Sequence, residues 1–144
     1  MSRVLDGPAR LSLLLPATLE ASLLAHALAT PSVEVCGLLG GAGMRALSRY
    51  TVTNAAPQPA TMFLMEPRAQ LRALQAMRNR GEALVGIYHS HPASPALPSA
   101  RDLEFAAYPG VAYLIVSLLD REAPVLGCFV FDGQGFAPLT LERH

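Results

Sequence analysis

Hydrophobic positions recur along this chain with two periods, and the switches between them mark out its elements. Residues 17–29 place Leu19, Leu23, Leu24, Ala27 and Leu28 on one stripe at helical spacing, and Pro16 in front suits a helix start. Ahead of it, residues 3–15 can supply an edge strand. The runs 34–40 and 44–53 predict strands joined by a hairpin-like turn at Gly40-Gly41-Ala42-Gly43. A loop carrying Pro57 and Pro59 spans 55–60, and a short extended piece begins at Phe63. A helix then runs from Pro67 to about residue 80 and stops at Gly81. Ala83-Leu84-Val85-Gly86-Ile87-Tyr88 is apolar and rich in β-formers, the pattern of a buried strand. Ser99 opens a helical stretch up to Pro109-Gly110, followed by strands near 111–118, 124–131 and 135–141. The alternation predicts an α/β protein, a mixed sheet with helices packed on it.

A polar cluster ends the 83–88 strand: His89-Ser90-His91-Pro92, then Ser99-Ala100-Arg101-Asp102. In a strand, residues i and i+2 project from the same face, roughly 6.5–7 Å apart along the chain, while Ser90 points the other way. Two imidazoles so placed can converge on one zinc through bonds of about 2.0–2.1 Å. Pro92, Pro95 and Pro98 stiffen the connection to Ser99. Three residues apart on one helix, Ser99 and Asp102 are neighbours, so Asp102 can add a carboxylate to the ligand set. The same Ser-x-x-Asp spacing also fits a capping box, which needs no metal. Three protein ligands leave the fourth tetrahedral position for water, whose pKa zinc lowers to roughly 7. A general base is then required. Glu34, a lone charge in the otherwise apolar run 32–40, is the candidate, with a capping or solvent-facing carboxylate as the alternative.

Glu34, then His89-x-His91, seven residues, Ser99, two residues and Asp102 resembles the JAMM motif of the MPN+ metallopeptidases. Pro31, Asn54, Phe63 and Gly86 fit the flanks, and the resemblance spans about residues 11–140. It implies a three-layer α/β/α arrangement like that of the cytidine deaminases. It also implies one zinc per chain, held by His89, His91 and Asp102. Glu34 would handle the proton of zinc-bound water, and Ser99 would help hold the oxyanion. The implied reaction is hydrolysis of a peptide or isopeptide bond at the C-terminal tail of a ubiquitin-like or sulfur-carrier protein. The chain is similar to the compact prokaryotic type, lacking a long insertion after Asp102. An extended tail can add as a strand beside residues 54–65, where relatives present their groove, although Met62 to Met65 also suit a core. A non-catalytic scaffold of the same fold is the alternative, but such relatives lose ligands that are all present here. A histidine pair on an amidohydrolase barrel would need about 250 residues.

Composition narrows the setting. At 144 residues and 51% hydrophobic, the chain is expected to form a single domain burying roughly 70% of its unfolded surface. Its formal net charge is zero, with no basic stripe for nucleic acid. No apolar run approaches the ~20 residues of a membrane span, and the 11–15 run is short for a signal peptide, so a cytoplasmic protein is expected. Cys36 and Cys128 fit buried thiols rather than a disulfide. All 11 basic residues are arginine, which suits a codon bias. His26 and His144 look incidental.

Overall fold

Local rules explain most element boundaries in the computed structural model, which describes residues 12–143. Of the strand expected over 3–15, Ser12–Leu15 forms β1; residues 3–11 and His144 lie outside the described residues. Helix α1 (Ala17–Ala29) starts behind Pro16, whose carbonyl accepts from the amides of Leu19 and Glu20. It buries Leu19, Leu23 and Ala27; Leu28 leaves the expected stripe and is 39% exposed. Strands β2 (Cys36–Ala42) and β3 (Arg45–Val52) form a hairpin that turns at Gly43-Met44, centred two residues later than the expected Gly40-Gly41-Ala42-Gly43 turn. Gly43 has φ +61° there and Met44 does not, the Gly-first pattern of a two-residue II′ turn. Helix α2 (Pro67–Asn79) is capped by the Glu66 carboxylate, which accepts from the amides of Arg68 and Ala69.

Strand β4 (Ala83–His91) runs straight through both histidines. The helix expected from Ser99 to residue 109 is a single turn, α3 (Ala100–Glu104). β5 (Ala112–Ser117) and β6 (Val125–Phe131) follow. The last expected strand divides into β7 (Phe136–Pro138) and β8 (Thr140–Arg143), which sit at opposite edges of the sheet.

The sheet order is β7-β6-β5-β4-β2-β3-β1-β8, with β4–β5, β1–β3 and β1–β8 parallel and the remaining pairs antiparallel. Each face carries its own core. Leu19, Leu23 and Ala27 of α1 pack on one face with Leu39, Tyr88 and Leu114. Ala73 and Met77 of α2 pack on the other with Cys36, Leu38 and Ile87. This is the expected mixed three-layer α/β/α fold. The register of β4 against β2 slips so that Val85 is an extra residue between the pairs Gly40–Leu84 and Leu39–Gly86. Without that bulge, regular alternation from Leu84 would turn Ile87, His89 and His91 onto the α1 face. No helix among the described residues is long and apolar enough to cross a membrane.

Candidate active site

The C-terminal end of β4 lies between β2 and its parallel neighbour β5, and open sheets form ligand crevices beyond such strand ends. His89 and His91 sit there, 2% and 3% exposed. Their Nε2 atoms are 3.1 Å apart. Asp102 places Oδ1 3.1 Å from His89 Nε2 and Oδ2 3.1 Å from His91 Nε2. Tetrahedral bonds of about 2.0–2.1 Å require ligand atoms roughly 3.3–3.4 Å apart, so the set fits one small divalent ion closely.

The donor chemistry agrees. His91 Nδ1 is 2.8 Å from the Pro95 carbonyl, which only accepts, so this nitrogen carries the hydrogen. The neutral ring then turns its Nε2 lone pair towards the Asp102 carboxylate and His89 Nε2, a group that a cation at its centre would satisfy. A proton held between the rings and Asp102 would satisfy the same group. His89 Nδ1 is buried without a partner among the described residues, so no second bond fixes the hydrogen of that ring. Burial opposes a charge on either ring. It prevails at His89, lowering its pKa; at His91 the Asp102 carboxylate and the Pro95 carbonyl raise it. Burial also works against an ionised Asp102, but hydrogen bonds from both histidines hold its carboxyl well below the usual range. Phe63 stacks on the His89 ring, centroids 4.4 Å apart and planes inclined by 25°.

The Ser99–Asp102 spacing forms the capping box and still presents the Asp102 carboxylate to the two histidines. Ser99 Oγ accepts from the Asp102 amide at 3.0 Å, and Asp102 Oδ2 accepts from the Ser99 amide at 2.9 Å, a complete capping box. The box aims the Asp102 carboxylate at the histidines. It also leaves Ser99 lining a cleft of about 210 Å³ with Glu34, Thr61 and His91.

Glu34 precedes β2 instead of lying within it, and every backbone bond around it has a source. Its amide donates to the Pro59 carbonyl at 2.7 Å and its carbonyl accepts from Asn54 Nδ2 at 2.9 Å. The next amide, Val35, donates to Ser90 Oγ at 2.9 Å, while the Ser90 amide donates to the Val35 carbonyl at 3.0 Å. Glu34 as a residue is 5% exposed, and its Oε1 is buried with no partner among the described residues. Burial pushes its pKa up to about 7; His91 and Arg101 pull the other way, and Asp102 adds to the rise.

The structure thus brings together all five expected site residues. Sequence reasoning missed Ser90 as the strap beside Glu34, though a serine buried in a strand had to find a partner. Asn54 was noted only as a flank, yet its amide makes four bonds: to the Glu34 and Met62 carbonyls and from the Ala56 and Leu64 amides. His26 is not incidental: its Nδ1 lies 2.7 Å from the hydroxyl of buried Tyr88. Cys36 and Cys128 are free and buried, as expected, and burial raises both thiols to about 12.

Residues 16–128 match the family described as prokaryotic homologs of the JAB domain. The desampylase of Haloferax volcanii is 38% identical over 102 residues, covering 67% of this chain and 73% of that protein. The CysO-cysteine peptidase of Mycobacterium tuberculosis is 36% identical over 124 residues, 84% of each. A solution structure of a protein from Desulfitobacterium hafniense superposes with a TM-score of 0.82 at 36% identity, over 92% of both chains. The chain belongs to the prokaryotic homologs of the JAB domain.

Proposed function

We propose that this chain is a single-domain zinc metallopeptidase that hydrolyses a peptide or isopeptide bond at the C-terminal tail of a ubiquitin-like or sulfur-carrier protein. The observation that carries the reading is the pairing of an unpartnered buried carboxylate, Glu34, with two histidine Nε2 atoms 3.1 Å apart, each 3.1 Å from one oxygen of the Asp102 carboxylate. A structural ion pair would satisfy the first; a structural metal site would close with a fourth side chain, and none stands beside His89, His91 and Asp102 among the described residues. Relatives named as a peptidase and a desampylase support a hydrolase of this kind.

His89, His91 and Asp102 would hold the zinc, which when bound supplies Lewis acidity for water and for the scissile carbonyl. Glu34 takes the proton of the attacking water and returns it to the leaving amine; a carboxyl near pH 7 suits both transfers. Ser99 keeps its Oγ occupied as an acceptor and its hydroxyl hydrogen free to donate to the developing oxyanion. Beside the histidines the 62–65 segment forms one wall. Leu64 bonds back to Ala55 and Asn54, while the amides and carbonyls of Phe63 and Met65 have no partner among the described residues. That free edge can take an extended tail as an added strand.

Elemental analysis of wild-type and Asp102→Ala proteins, with cleavage of a sulfur-carrier–peptide fusion, tests the reading. About one zinc per chain in the wild type, lost with cleavage in the variant, is expected. A wild type that stays metal-free on reconstitution would make the five residues part of a scaffold.

A further inference from the structure

The cleft beside His89 and Asp102 is lined mainly by apolar side chains, Met62, Phe63 and Phe105 among them. His89 and Asp102 are committed to the ligand set. One charged group remains on its walls: Arg101, on α3 directly before Asp102. Its Nη1 lies 3.2 Å from Met62 Sδ across the cleft, and no ion pair joins it to a carboxylate among the described residues. A thioether is a weak acceptor, so the five-donor fork of this guanidinium lacks the planar anion it is shaped for.

We propose that Arg101 binds the free α-carboxylate of an amino-acid leaving group, so that the substrate is a carrier–amino acid amide and not a lysine isopeptide. The proposal rests on the peptidase reading above. The carrier tail reaches the site as an acyl group, its own carboxylate consumed in the scissile bond, and brings no charge there. An α-linked amino acid places its carboxylate carbon two bonds from the scissile nitrogen, about 2.5 Å away by standard backbone dimensions. A lysine side chain instead puts its four-carbon stem beside that nitrogen and offers a guanidinium nothing. A cation lining the same cleft as His89 and Asp102 is therefore placed to distinguish the two. The reaction consumes one water: the C–N bond breaks, the carrier ends in a carboxylate, and the amino acid leaves with its amine protonated.

Three probes test this on the zinc-loaded enzyme. A sulfur-carrier protein ending in Gly-Gly is extended by one alanine as the free acid, by alanine amide, or through the ε-amine of a blocked lysine. The free acid should be preferred over the amide by roughly 10–100-fold in kcat/KM, mostly through KM, the range of a charge-assisted hydrogen bond. Arg101→Ala should bring the free acid down to the amide, and Arg101→Lys should keep part of the preference. Equal rates for acid and amide, or preference for the lysine adduct, overturn the proposal alone. So does an Arg101→Ala variant that lowers both substrates equally and moves the acid limb of the pH profile upward, because that assigns Arg101 to its field on Glu34. Hydrolysis of none of the three overturns the peptidase reading and this proposal with it.

Discussion

Glu34→Gln should make the metal-free fold more stable above neutral pH, because the wild type keeps an uncompensated carboxylate where a fold would place none. Glu34 is 5% exposed, with Oε1 unpartnered among the described residues, and its pKa rises from the usual 4.5 to about 7. At 1.36 kcal/mol for each tenfold change in proton affinity, that step corresponds to at most about 3–4 kcal/mol. The group borders the water-accessible cleft it shares with Ser99, so screening reduces the cost to roughly 1–2 kcal/mol. The sign follows from linkage. Between pH 4.5 and 7 the folded state holds a proton that the unfolded state has released, so stability falls as pH rises through that window. Above it the full cost is present. Glutamine never ionises and escapes it. Urea denaturation of both proteins in chelator, at pH 5 and pH 8, should show the advantage of the variant growing by ~1–2 kcal/mol between the two. Reloading with zinc should shrink the gain, since a divalent cation near the carboxylate offsets its desolvation. An advantage of equal size at both pH values would refute the reasoning: the carboxylate would then not be a buried charge.

Ser99→Ala removes the bond from the Asp102 amide, which should cost ~1 kcal/mol in denaturation, and should lower turnover by ~10²-fold. Lost stability with normal turnover would leave Ser99 a cap alone. Gly37→Ala places a Cβ 2.4 Å from Tyr88 Cε1 and 2.5 Å from the Tyr50 carbonyl oxygen, so the urea midpoint should drop by the equivalent of ~1–3 kcal/mol. An unchanged midpoint would mean β2 and β3 move apart freely. Asn54→Asp keeps the bonds accepted from Ala56 and Leu64, loses those given to Glu34 and Met62, and adds a negative charge near Glu34. The acid limb of its kcat/KM profile should move to higher pH; an unmoved limb would separate Asn54 from the proton-transfer group.

What the sequence could and could not show follows from the range of the interactions involved. The site was legible because two of its pairs are local, two histidines two apart on a strand and a serine and an aspartate three apart at a helix start, and because their spacing, with Glu34 upstream, resembles a known motif. The length of α3 was not, because the capping box that starts it is local, whereas what ends it is tertiary: the hydroxyl of Tyr113 on β5 accepts from the amides of Ala107 and Tyr108 and draws them out of helical bonding. His26 was passed over for the same reason, its partner Tyr88 lying 62 residues away. The bulge at Val85 is the most consequential case. Alternation in 83–91 specifies that the histidines share a face, and nothing in that run specifies which face. The choice is made by the slip against β2, which is set by how Leu39 and Gly40 pair across the sheet. That one extra residue puts His89 under Phe63 and beside Asp102, on the side of α2, and leaves Tyr88 with His26 on the side of α1. A motif thus supplies the chemistry, and a register slip written nowhere in the motif supplies the direction in which that chemistry faces.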